Sequence, residues 1–323
     1  MSAFSLAAIE DAAARVHRAM PPTAQYAWPL LAARVGAEIW VKHENHTPVG
    51  AFKVRGGILH MADLAKARPG LPGVIAATRG NHGQSIAFGA GRAGLKATIV
   101  VPHGNSVEKN AAMRAQGAEL VEHGHDFQAA LEHCRALADA RGLHFVGSFL
   151  PDLVLGVSTY AWEFFKGAPA LTRVYVPIGL GSGICGVIAA RDALGLKTEV
   201  VGVVAENAPS YALSFEAKKP VSTNSADTLA DGMACRVPVE AALETIWKGA
   251  ARIVRVSEAQ IRAAMRAYFS DTHNVAEGAG AAPLAAALAE KTLNRGRRVG
   301  LILSGGNVDR DAFARILMEK DEA

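Results

Sequence analysis

The sequence predicts an α/β protein built from two parallel sheets, each enclosed by helices in three layers. Three observations carry this expectation. Short apolar runs alternate with stretches of helical periodicity from about residue 74 to 205, as β-α-β units require. Runs such as 74–77 and 200–205 are continuously apolar, the pattern of strands buried on both faces. The chain has 323 residues, half of them apolar and a fifth charged, which is enough for two packed lobes.

Taken in order, Leu6, Ile9, Ala13 and Val16 recur at helical spacing over residues 6–19, and Pro21-Pro22 ends the pattern. A short strand over 38–42 leads into a polar, turn-forming stretch at 44–50. Lys53 therefore follows a loop and stands near the start of a helix predicted over 54–67. Further strands are predicted at 74–77, 97–101, 119–122, 144–146, 173–176 and 199–205, with helices at 81–93, 106–116, 127–140, through Trp162, and at 183–194. Residues 209–235 are the least regular and read as loops and short helices near a ligand. A last apolar strand runs into Ser304.

Bulk charge narrows the function. The 34 basic and 30 acidic residues are spread without like-charge runs, so the net +4 lacks the clustered footprint of a nucleic-acid binder. Cys134, Cys185 and Cys235 lie about fifty residues apart and form no C-x-x-C pair, so neither a disulfide framework nor a zinc knuckle is indicated, and a reducing compartment fits. The start of the chain lacks a basic n-region and apolar h-region, and no run reaches the ~18 apolar residues of a membrane span. A cytoplasmic protein acting on a small molecule is expected.

Three segments share one geometry, an apolar strand, a turn and then a helix. In Val174-Tyr-Val-Pro-Ile-Gly-Leu-Gly-Ser-Gly183 the glycines let backbone N–H groups approach an anion at a helix start. The spacing is neither a Walker loop nor a full G-x-G-x-x-G, so a tight ligand-free turn is an equal reading. Ile75-Ala-Ala-Thr-Arg-Gly-Asn-His-Gly-Gln84 again presents backbone donors, with Asn81 either a ligand or simply an N-cap. In Leu301-Ile-Leu-Ser-Gly-Gly-Asn307, Ser304 ends a strand at the sheet edge where clefts form, or is an ordinary turn serine. Lys53, in Thr47-Pro-Val-Gly-Ala-Phe-Lys-Val-Arg-Gly56, is on its own a surface cation. A Schiff-base lysine needs apolar walls and nearby positive charge to lose its proton, and Phe52 and Arg55 would supply them.

Together, in this order and spacing, the four segments resemble the fold-type II pyridoxal-phosphate enzymes, in particular the serine/threonine dehydratase and serine racemase group, over residues 20–310. The resemblance implies a tryptophan synthase β-like fold, with a large domain from 1–48 and 150–323 and a smaller, mobile one from 49–149, and a homodimer. It implies that Lys53 carries pyridoxal 5′-phosphate and moves the α-proton, beside Phe52. Asn81 would bond the ring hydroxyl, and Ser304 the pyridine nitrogen. Gly179, Leu180, Gly181, Ser182 and Gly183 stand where the family has a tetraglycine phosphate cup, so Leu180 must point away. Glu277 matches an acidic residue near the site. The substrate carboxylate would lie on Thr78, Arg79, Gly80, Asn81 and His82. The implied reaction is β-elimination from a hydroxy-amino acid, giving a 2-oxo acid and ammonia.

The departures are informative. Arg79 replaces the serine that acts as second acid/base in serine racemase, and a guanidinium cannot relay a proton, which disfavours racemisation. Arg79 would instead bind a second substrate anion or face solvent or a carboxylate. Glu206 matches one ligand of the divalent-cation site found in relatives, but Ala212 falls where an aspartate is needed, which weakens that site. Ala51 and Gly156-Val-Ser-Thr159 also depart from the family pattern, so the pocket would differ from a standard threonine dehydratase and could suit 3-hydroxyaspartate or phenylserine. β-Replacement and a non-catalytic pyridoxal-binding role are the alternatives. The chain ends soon after Asn307, and feedback control through a regulatory module is not expected.

Overall fold

A computed structural model describes residues 4–320. α1 (Leu6–His17) starts at Ser5, whose hydroxyl accepts from Ala8 N, and buries Ile9, Ala12, Ala13 and Val16. There follow β1 (Gln25–Ala27), α2 (Pro29–Val35), closed by left-handed Gly36, and β2 (Glu38–His43). A single 3-10 turn, Glu44–His46, leads to the Lys53 loop. α3 (Val54–Ala67), β3 (Val74–Ala77), α4 (Asn81–Arg92), β4 (Ala97–Val101), α5 (Val107–Ala115), β5 (Glu119–Glu122), α6 (Phe127–Arg141) and β6 (His144–Phe145) complete the first alternating run. α7 (Pro151–Gly167), β7 (Arg173–Pro177), α8 (Ser182–Ala193) and β8 (Glu199–Ala205) form the second. The irregular stretch after them contains α9 (Ser210–Ala217) and a 3-10 turn at Asp231–Met233. α10 (Glu240–Gly249), β9 (Ala250–Val256), α11 (Glu258–Thr272), α12 (Gly278–Ala289), α13 (Lys291–Asn294), β10 (Arg298–Leu303) and α14 (Arg310–Met318) finish the chain.

The strands make two sheets, one in the order β1-β2-β10-β7-β8-β9 and one in the order β5-β4-β3-β6. Every pairing is parallel except β1 with β2, where Tyr26 faces Val41 in antiparallel register. The expected parallel sheets are thus present, with the short edge strand β1 as an antiparallel addition. Residues 28–37 are too few for the dozen or so that a parallel crossover takes, so the chain can only fold back.

Alternate residues feed different cores, which is why the strands read as continuously apolar. In β8, Val201, Val203 and Ala205 join one cluster with α11 and α12, while Val200 and Val204 join another with α7 and α8. In β3, Val74 and Ala76 pack with α4, and Ile75 and Ala77 with α6. Each such valine or isoleucine withdrawn from water contributes about 1.5–3 kcal/mol, which fixes the register from both faces. The three cysteines are buried and free. Among the described residues, no helix is long and apolar enough to cross a membrane.

Candidate active site

The loops after β2, β10 and β7, three adjacent parallel strands, meet at the carboxyl ends of those strands, and the turn after β3 of the other sheet comes to them. Phe52 N donates to Ser304 O at 3.0 Å, and Ala51 forms an isolated bridge with Gly305. Asn307 Nδ2 donates to Asn81 Oδ1 and to Val49 O, both at 2.8 Å. Lys53 Nζ lies 3.3 Å from Ser182 Oγ. All four motifs singled out in the sequence thus converge on one place.

Lys53 caps the start of α3, and Ser85 Oγ donates to its carbonyl at 2.6 Å. Burial lowers its pKa from the ordinary lysine value to about 8. Its Nζ stands 5.3 Å from the centre of the Phe52 ring. The expectation that Arg55 helps depress this amine is corrected. Arg55 is fully buried and turned away, with Nε and Nη2 on Glu44 at 2.7 and 2.9 Å and Nη1 and Nη2 on Glu163 at 2.6 and 2.9 Å. Lys42 Nζ meets Glu163 at 2.6 Å, so two cations and two carboxylates neutralise one another behind the site. The apolar wall acts alone on Lys53.

The glycine loop presents an unbroken string of donors. Among the described residues, no protein acceptor meets the backbone N–H of Gly179, Leu180, Gly181, Ser182, Gly183 or Ile184, the last three being the first turn of α8. Its carbonyls are held from behind: Tyr211 OH donates to Leu180 O at 2.9 Å, and Tyr160 OH to Gly183 O at 3.2 Å. In a trans peptide the next N–H then points the other way. Gly181 is left-handed at φ 97°, and a Cβ on Gly179 would stand 2.1 Å from Gly232 O. Leu180 packs into the apolar cluster of α7 and α8, as the cup requires. Ser182 is 3 % exposed, with its hydroxyl on Lys53.

In the turn after β3, Thr78 Oγ1 accepts from Gly80 N at 2.9 Å and Gly83 N at 3.3 Å. Gly80 is the N-cap of α4, so Asn81 is not a capping residue. The backbone N–H groups of Arg79, Asn81 and His82 have no acceptor among the described residues. The Arg79 side chain is exposed. His82 is buried, and burial, reinforced by Lys53, drops its pKa to about 3, so its imidazole is neutral. Ser304 is 4 % exposed and its hydroxyl has no protein partner among the described residues. Glu277, at the N-cap of α12, accepts from Asn81 Nδ2 at 2.7 Å, and burial pushes its pKa up to about 7 against the pull of Lys109.

Glu206 lies apart from this cluster, exposed at the end of β8, and Ala212 is buried in the core. Among the described residues no three His, Cys, Asp or Glu stand together as a metal site. Sequence reasoning did not single out Lys109, Asp231, Tyr160 or Tyr211, although Tyr211 and Asp231 fall in the irregular stretch expected near a ligand and Tyr160 follows the Gly156–Thr159 run. Asn307 lay inside the last motif, and its amide neighbouring Ser304 was the available signal.

Comparison with known proteins gives the same direction. The family model for pyridoxal-phosphate dependent enzymes matches residues 17–305. An L-threonine ammonia-lyase of Thermotoga maritima is 34% identical over 292 residues, 89% of this chain and 72% of the relative. The catabolic L-threonine dehydratase TdcB of Escherichia coli is 31% identical over 307 residues, 94% of this chain and 92% of the relative. The solved processed form of threonine deaminase isoform 2 from Solanum lycopersicum superposes with a TM-score of 0.87 at 27% identity, covering 97% of this chain and 94% of that one.

Proposed function

The chain belongs to the pyridoxal-phosphate dependent enzymes, and on that premise we propose that it is a deaminating dehydratase, converting a 3-hydroxy-L-amino acid of the threonine and serine type to a 2-oxo acid and ammonia. One observation carries the reading. Lys53 offers an amine whose pKa burial lowers to about 8, at the meeting point of a free N–H cup, a buried serine hydroxyl and an oriented asparagine amide.

These groups fit pyridoxal phosphate. The six N–H donors of Gly179 to Ile184 and the dipole of α8 suit its phosphate, and Leu180 leaves the cup clear. Lys53 is the amine for its aldehyde, with Phe52 alongside. Ser304 stands as a neutral partner for the ring nitrogen, and Asn81 as a donor for the ring hydroxyl. When bound, the cofactor supplies an electron-withdrawing ring that acidifies the Cα–H of the amino acid. A serine rather than a carboxylate at the nitrogen keeps that withdrawal moderate, which suits loss of a β-hydroxyl.

The chain's own residues do the rest. The N–H groups of Arg79, Asn81 and His82, at the positive end of α4, hold the substrate carboxylate, while neutral His82 adds bulk and polarity without charge. Lys53 Nζ takes the α-proton as a general base poised close to neutral pH. The Arg79 guanidinium is exposed and, unlike a hydroxyl, is no proton relay, so no acid/base group is offered to Lys53 from that position and elimination is favoured over racemisation.

The test is release of ammonia and 2-oxo acid from L-threonine, L-serine, 3-hydroxyaspartate and phenylserine by protein loaded with pyridoxal phosphate. Turnover of at least one, lost in Lys53→Ala together with the visible cofactor band, is expected. Ammonia from none of them would overturn the proposal.

A further inference from the structure

α5 packs beside α4 and β5 of the four-stranded sheet, yet its first turn reaches loops of the other sheet at three points. The Ser106 hydroxyl donates to the Asp309 carboxylate. Arg310 N donates to Glu108 Oε1 at 2.9 Å. Lys109 Nζ lies 2.5 Å from Asp231 Oδ2 and 3.7 Å from Glu277 Oε2. Lys109 is 6 % exposed and its stem runs past Gly80, where a Cβ would stand 2.6 Å from Lys109 Cδ. The helix therefore delivers one ammonium, alongside the 78–82 turn, to two carboxylates of the opposite side.

One of those carboxylates governs Asn81. Glu277 Oε1 accepts from Asn81 Nδ2 while Asn307 donates to Asn81 Oδ1, so acceptor and donor together fix which end of the amide faces the site. Glu277 is 2 % exposed, and its Oε2 has no hydrogen-bond partner besides the approach of Lys109. A buried carboxylate without a cation takes up a proton, and a protonated carboxyl is donor as well as acceptor. It then no longer dictates the orientation of its neighbour.

We infer that Lys109 is a positioning residue for the reaction: its ammonium, carried on α5 to the far side of the site, favours the ionised form of Glu277 and with it the orientation of Asn81 toward the cofactor. The inference rests on reading the site as one for pyridoxal phosphate. The charged groups facing Glu277 are Lys109 from α5 and Asp231 from the 3-10 turn, with Asp309 beyond Lys109. Burial and Asp231 favour the protonated form and Lys109 opposes them, so removing Lys109 raises the pH at which Glu277 ionises.

The measurement is an infrared pH-difference titration of the loaded protein, following the protonated-carboxyl stretch that disappears in Glu277→Gln. Lys109→Met keeps most of the stem and removes the charge. Its midpoint is expected to rise by about one pH unit or more, with the pH profile of the visible cofactor band moving alike, and Lys109→Arg to restore the wild-type midpoint. Asp231→Asn, which removes the competing carboxylate, lowers the midpoint and serves as the test should Lys109→Met fail to fold. A midpoint unmoved in Lys109→Met, or one not lowered in Asp231→Asn, overturns the inference. Wild-type protein that develops no visible band overturns the underlying reading as well, whereas a normal band with an immobile midpoint defeats only the role of Lys109.

Discussion

Glu163→Gln tests the buried charge cluster behind the lysine. In the native protein Glu163 is 8 % exposed, Lys42 1 %, and Arg55 and Glu44 are inaccessible. Glu163 takes both a 2.6 Å contact from Lys42 and a two-point contact from Arg55, which hold its pKa down at about 2 despite burial. Substitution leaves Arg55 with Glu44 but strips Lys42 of its carboxylate, leaving Thr23 O at 2.8 Å and Gln25 Oε1 at 3.4 Å. Breaking a buried pair from one side costs about 3–5 kcal/mol. The sign with pH follows from Lys42. Burial already lowers its pKa, with Glu163 the largest opposing influence, so the variant lowers it further. A lysine whose folded pKa is depressed costs stability below that value, and the cost fades as pH rises toward about 10.4, the unfolded value. Urea unfolding followed by tryptophan fluorescence should therefore show a loss of about 3–5 kcal/mol at pH 7 that shrinks by at least about 1 kcal/mol at pH 9.5. Adding Lys42→Met, which removes the stranded cation, should recover about half of the loss or more. A cost under about 1 kcal/mol at pH 7, or a double variant less stable than the single one, would refute the reasoning.

Two further outcomes follow from the site. Because the Lys53 amine ionises near pH 8 rather than at the ordinary lysine value, the rate at which apoprotein captures pyridoxal phosphate should climb through pH 8 and level off above it. A rise centred above pH 10, monitored by the visible band, would contradict the effect of the apolar wall. Gly179→Ala would place a methyl 2.1 Å from Gly232 O, a backbone atom that cannot turn aside, and so push the Asp231–Met233 turn off the phosphate loop. Fluorescence titration should then show at least about tenfold weaker cofactor binding, with about 1–3 kcal/mol lost in stability, and unchanged affinity would count against the cup.

Much of this was legible in the chain because several strands are short and buried on both faces, so their apolar runs have sharp polar ends. β3, β4 and β8, with helix α3, fall on the expected residues. β1 escaped notice because its three residues are half-buried or exposed and form no apolar run. α12 escaped for the opposite reason: Gly278 to Ala287 are all buried, which leaves no polar face to set a helical period. The four motifs were readable since each local geometry needs its own residues. The partners of Arg55 were not, because Glu44 and Glu163 are 119 residues apart in sequence (163 − 44) and neither sits in a motif. Charge sequestration of that kind belongs to the tertiary structure alone.

The place of β10 in the larger sheet has a consequence for biosynthesis. It is the last of the described strands in chain order, yet it lies between β2 and β7, so everything up to Leu303 must be made before the lysine loop and the glycine loop acquire the neighbour that joins them. Until then β2 presents an open edge on its inner side, the kind of surface that invites pairing with other nascent chains. Cofactor capture can only follow synthesis of β10, and a chain cut before Arg298 should emerge colourless and prone to aggregate rather than partly active.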